Sequence, residues 1–221
     1  MIFISLSCED IQNNKRFVFS GNLIDENNQP IENAQITSTL RIQSSGNNAQ
    51  NLIGQGVTNS NGNFEFVSLV PLSNSVGLFI NANQDIDSQE YAEVSFSIDN
   101  NVFDNENTIT LKDFKIPRKA SLDINIEKIS TQPAFLEWSI EFISSECFIE
   151  IGENSTIDNL SFCDTFFSIS GQNTTQNPNN TINVESLRNT IAIFIYSINN
   201  EPNQVIEISL NNPSNDFQFT Y

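Results

Sequence analysis

Apolar and polar positions alternate along this chain in short runs, the two-residue period of strands with one buried face. Phe17, Phe19 and Leu23 alternate with Val18, Ser20 and Asn22, and Gly21 between them relieves crowding or permits a bulge. The turn DENNQP then brings Pro30 near the start of the next strand, where its missing N–H does least harm. Asn28 and Asn33 take a left-handed backbone more readily than most residues other than glycine. The segment TNSNG over 58–62 predicts a hairpin in which Asn61 and Gly62 supply positive φ, after which Phe64 and Phe66 share a face. Further strands are predicted over 76–82, 92–98 and 108–116. Residues 43–52 read as a polar loop standing clear of the fold.

The second half continues the pattern, with strands predicted over 122–129, 135–143, 147–151, 165–170, 181–184, 190–198 and 205–210. Residues 217–221 predict an added edge strand. Short strands separated by polar turns suggest an immunoglobulin-like or related sandwich. The fold class is therefore all-β, with two tandem β-sandwich domains at 16–119 and 120–221 behind a leader and tether at 1–15. Between the domains, Pro117 can end the last strand of the first. Lys112, Lys115, Arg118 and Lys119 cluster there, either to pair with acidic groups across the domain interface or to meet a partner. Trp138 shares strand parity with Ile140 and Phe142, which favours core packing over a sugar-stacking platform. Phe166 and Phe167 fall on opposite faces, so one is exposed or fills an interface. The polar tract at 171–180 reads as a solvent-exposed loop.

Composition narrows the function. Eighteen Phe with one Trp and one Met suit sheets. Nine basic residues against twenty-seven acidic give a formal charge of -18, which repels phosphate backbones and excludes nucleic acid as an expected partner. Histidine is absent, removing the usual general base near neutral pH and the commonest metal ligand. No cofactor or catalytic residue is called for, and the chain is expected not to be an enzyme. A glycosidase working with acidic residues alone is the remote alternative. Asp85, Asp87, Glu90 and Glu93, followed by Asp99, Asp104 and Glu106, are oxygen-rich. The first cluster lacks the central Gly and final Glu of the usual calcium loop, so a solvated acidic edge is preferred to an ion site.

Gly21, Asp25, Pro30 and Ala34, followed by Thr58, Gly62 and Phe64, resemble the carboxypeptidase regulatory-like domain, with Asn28 and Asn33 in place of the two usual turn glycines. The resemblance spans about residues 17–116 and implies a transthyretin-like (prealbumin-like) sandwich of the kind carried as an accessory module by Bacteroidetes envelope proteins. The second half resembles no family that can be named. At the start, MIFISLS before Cys8 is similar to the end of a bacterial lipoprotein signal peptide, although Ser5 stands where that family usually has Leu. Glu9 and Asp10 resemble the export tag of surface-exposed Bacteroidetes lipoproteins. These resemblances imply lipidation of Cys8, membrane attachment through that anchor, and an outer-membrane or cell-surface location, with a periplasm-facing orientation as the alternative. The opposing reading is a free Cys8 at a frayed terminus or in a first strand.

Cys147 and Cys163 share strand parity with Ile149 and Phe167 respectively and can both point into one core, where an internal disulfide would contribute about 3 kcal/mol on the chain-entropy account. Two free buried thiols are the alternative. The expected function is a non-enzymatic envelope lipoprotein acting as an adhesion, scaffold or accessory binding component, with an envelope protein or a glycan as partner. The runner-up is a polysaccharide- or peptide-binding lipoprotein beside an outer-membrane uptake system, which an exposed aromatic row including Trp138 or Tyr196 would favour.

Overall fold

Phenylalanine-rich and β-branched segments form strands throughout the computed structural model, which describes residues 11–44, 47–71, 76–81, 90–98, 102, 107–151 and 165–221. The described residues divide into two compact units, one drawn from 1–85, 93–116 and 148–162, the other from 86–92, 117–147 and 163–221.

In the first unit the strands are β1 (Ile11–Ile24), β2 (Gln35–Ser44), β3 (Asn47–Val57), β4 (Asn63–Pro71), β5 (Val76–Asn81), β6 (Glu93–Ile98) and β7 (Thr108–Lys115). One sheet runs β4-β1-β7, with β1 antiparallel to β4 and parallel to β7. The other runs β6-β5-β2-β3 and is extended beyond β6 by β10 (Glu146–Ile151). Phe17 and Phe19 of β1 are buried with Phe64 and Phe66 of β4, and the Phe19 and Phe66 rings stack at 5.2 Å. Burying such a side chain stabilises by about 1.5–3 kcal/mol. The two sheets meet where Phe96 packs on Phe114 at 5.2 Å and where Ser38 Oγ bonds Ser68 Oγ at 2.8 Å.

The punctuating residues of the sequence converge here. Asn28 and Asn33 adopt φ of 62° and 60°, the conformation glycine would otherwise supply. Asp25 is buried, and its Oδ1 accepts from the backbone N–H groups of Asn27 and Gln29, closing the turn. Thr58 Oγ1 accepts from Ala34 N at 2.8 Å while Thr58 N donates to Ala34 O, so the two halves of the motif are bonded to each other. Gly21 sits where a Cβ would lie 2.1 Å from Leu111 O, and the β1–β7 register shifts just after it.

Two expectations are corrected. Residues 43–52 lie in β2 and β3, which pair from Gln35↔Val57 to Ser44↔Asn47, apart from residues 45–46, which lie outside the described residues. Backbone pairing carries this hairpin whatever the polarity of its side chains. The turn at 58–62 is not a two-residue hairpin turn between paired strands. It carries the chain from β3 in one sheet to β4 in the other, with Asn59 Oδ1 accepting from the backbone N–H groups of Asn61 and Asn63. Gly62 takes positive φ, at 73°, and Asn61 does not.

The second unit contains β8 (Lys119–Glu127), β9 (Leu136–Ile143), β11 (Phe166–Asn173), β12 (Asn180–Leu187), β13 (Thr190–Ile198), β14 (Gln204–Leu210) and β15 (Ser214–Thr220). A four-stranded sheet ordered β11-β9-β13-β14 faces a three-stranded sheet ordered β12-β8-β15. Their inner faces share one core, including Leu122, Ile124 and Ile126 of β8, Leu136, Trp138 and Ile140 of β9, and Phe194 of β13. The closing strand β15 lies at a sheet edge, parallel to β8. The molecule is thus all-β, built of several small sheets as tandem sandwiches would be.

Candidate interaction surface

The sequence-predicted site residues do not assemble into one site. Cys8 and Cys163 lie outside the described residues, as do Asp85, Asp87, Asp99, Asp104 and Glu106. Cys147 is disulfide-bonded. Glu90 is held by Arg118, Nε to Oε1 at 2.8 Å, and Lys119 approaches Glu185 at 3.5 Å, so these two members of the basic cluster pair within the second unit. Among the described residues no three His, Cys, Asp or Glu side chains are grouped to hold a metal ion, and no helix is long and apolar enough to cross a membrane.

Trp138 is 8% exposed, and its Nε1 donates to Asn173 Oδ1 at 3.0 Å. Tyr196 is half-buried, stacks on Phe194 and donates its hydroxyl to Gln204 Oε1. Both rings are committed to the fold and form no exposed row. Phe166 and Phe167 are both exposed, which corrects the expectation that only one would be. At the foot of this core, Tyr221 donates to Pro178 O at 2.7 Å. Desolvation by burial raises its pKa above 10.0, against a smaller lowering by Asn173.

The outer faces of the second unit differ sharply. On the three-stranded sheet, Asn183 Nδ2 donates to Asp123 Oδ1 at 2.7 Å and Asn125 Nδ2 to Gln218 Oε1 at 3.2 Å, a hydrogen-bonded polar ladder. On the four-stranded sheet, β13 turns Ala192, Phe194 and Tyr196 inward, and parity sends Ile191, Ile193 and Ile195 outward. Ile191 is 46% exposed and Val205, the partner of Ile195 on β14, is 60% exposed. Ile193 sits between Glu207 on β14 and Glu141 on β9, its register partners on either side. The result is an apolar row, exposed at Ile191 and half-buried at Ile193 and Ile195, bracketed at its middle by two carboxylates. Directly opposed neighbours lie about 4.5–5.5 Å apart at Cβ, so one partner element spans the row and both acids.

No protein-family model matches this chain, and no curated protein matches it. Solved structures with partial likeness include the Bacillus anthracis TIE protein, at 11% identity and TM-score 0.33 over 93% of this chain and 33% of that one. A 9R-lipoxygenase from Cyanothece PCC8801 matches at 19% identity and TM-score 0.34 over 52% of this chain and 19% of its own. GBS52, the minor pilin of Streptococcus agalactiae, matches at 9% identity and TM-score 0.32 over 92% and 94%. The chain spans a third or less of the first two proteins. At these scores the likeness carries no argument about function.

The isoleucine row was open to view in the sequence. TIAIFIYSI is apolar at both parities, the mark of a strand with apolar groups on both faces. In the facing sheet β8 and β12 alternate apolar with polar, as strands with one solvated face do.

Proposed function

We propose that this chain is a non-enzymatic, lipid-anchored protein of the cell envelope, held at the outer membrane or cell surface through Cys8. Its first sandwich is transthyretin-like, in the manner of carboxypeptidase regulatory-like domains, and its second is immunoglobulin-like or related. Together they act as an adhesion, scaffold or accessory binding component. Cys147 pairs with Cys163 and braces the second half.

The observation that carries the binding role is the Ile191–Ile193–Ile195 row with Glu141 and Glu207 beside it. An apolar strip that a folded chain leaves in water is a recognition feature when polar groups rim it. The two glutamates select a protein partner that presents apolar side chains flanked by Lys or Arg. They also select against a second copy of this chain, whose own glutamates and charge of -18 would repel it. Burial of Trp138 and the engagement of Tyr196 take those two rings away from any polysaccharide-stacking platform.

Anchoring is tested by expressing the gene, with its upstream sequence, in a related host and measuring the mass of the mature N-terminal peptide together with protease access on intact cells. Acyl chains on Cys8 and cleavage by external protease are expected. An unmodified Cys8 in a water-soluble protein would overturn the anchor.

A further inference from the structure

The sheet β11-β9-β13-β14 ends on one side at β11, and among the described residues no strand lies beyond it. An edge strand exposes backbone N–H and C=O groups along its free side, and folded proteins guard such edges with charges, proline, bulges or a covering segment. Within Phe166–Asn173 there is no charged residue and no proline, and the pairing with β9 runs unbroken from Phe166↔Ile143 to Asn173↔Leu136.

The other sheet edges are guarded. Each of β4, β7, β10, β12, β14 and β15 carries at least one charged residue, as Glu207 does in β14 and Asp216 in β15. β3 has no charge, but it lies alongside β4, so closely that a Cβ on Gly54 would be 2.9 Å from Val67 O. Among the described residues β11 has neither safeguard, and its Phe166 and Phe167 are 55% and 43% exposed.

The strand is fixed in place. Trp138 Nε1 donates to Asn173 Oδ1 at its end, Asn173 Nδ2 donates to Pro178 O at 2.9 Å, and Gly171 leaves room for the Trp138 ring, which a Cβ there would meet at 2.4 Å. A backbone already ordered lowers the cost of pairing with it. Parity sends Phe166, Ser168 and Ser170 to the outer face, where Ser168 is the register partner of Glu141 and Gln172 that of Glu137. An added strand lies about 4.8 Å from β11 and so about 10 Å from β9, which brings both glutamates within reach of a lysine or arginine side chain.

We propose that the free edge of β11 takes up an extended segment of another protein as an added strand, with lysine or arginine on the parity that faces Glu137 and Glu141 and apolar residues on the other, beside Phe167 and Ile169. Main-chain hydrogen bonds hold the segment, and its alternating side chains select it. A second copy is disfavoured, because it would bring two chains of charge -18 together edge to edge. The isoleucine row lies two strands away, and the two readings share Glu141 alone, so either can fail without the other.

The test is backbone-amide hydrogen exchange, read by NMR on the intact protein with a synthetic peptide that alternates lysine with valine. At saturation the peptide is expected to slow exchange at alternate β11 amides by about tenfold or more. Backbone N-methylation confined to one parity removes the peptide's donors on one side only, so methylation at one parity should abolish the effect and at the other leave it. A glutamate–valine peptide should not bind, and Ser168→Lys, which opposes the lysines from an exposed position, should weaken the lysine peptide about tenfold. Unchanged β11 exchange, protection confined to β13 or β14, equal binding of the glutamate–valine peptide, indifference to methylation at both parities, full affinity in Ser168→Lys, or concentration-dependent protection of β11 in the peptide-free protein would each overturn the proposal.

Discussion

Asn28 and Asn33 show how much a single residue can specify. Both stand at positive φ, a conformation that costs most residues about 1–2 kcal/mol and glycine almost nothing. Asn33→Ala should therefore lower stability by about 1 kcal/mol and Asn33→Gly should leave it nearly unchanged, as read by urea unfolding. These turns were legible because backbone conformation is a local property. The exposure of both Phe166 and Phe167 was not, because it depends on β11 lying at the edge of its sheet. Tyr221 adds a pH signature. Burial raises its pKa above 10.0, so the folded chain holds that proton more firmly than the unfolded chain. The resulting stability is complete below pH 10.0 and is lost as pH rises through the folded value. Comparing urea midpoints between about pH 9 and pH 11, the parent should decline more steeply than Tyr221→Phe.

At the scale of elements, alternation revealed most strands, because one face of each is buried and the other wet. It failed at 43–52, where polar side chains concealed a backbone-paired hairpin with β3 at the sheet edge. It also misjudged the turn after β3, because Asn-Gly signals a tight reversal without saying whether the flanking strands pair. The motif shared by β2 and the end of β3 rests on Thr58, which is 2% exposed and accepts from Ala34 N. Thr58→Val keeps the shape and strands that buried N–H, so it should cost about 1–3 kcal/mol. Thr58→Ser should retain most of the parental stability. Equal denaturant midpoints for the valine variant and the parent would show that the bond contributes nothing.

For the whole molecule, composition excluded more than it identified. Absent histidine and a charge of -18 argued against ordinary acid–base catalysis and nucleic acid. The apolar groups on both faces of β13 were legible in TIAIFIYSI, but the flanking of Ile193 by Glu141 and Glu207 becomes visible only when strands are placed side by side. The two outer faces of the second unit supply an internal comparison, since one is a polar ladder and the other carries the isoleucine row. The most direct measurement is photocrosslinking in the native host, with a photoreactive phenylalanine analogue at Ile193 in one variant and at Asn183 in another. The account predicts a discrete adduct from position 193, to a protein with a basic contact surface, diminished by raised salt, and none from position 183. Adducts of equal yield from both positions, or from position 183 alone, would contradict it.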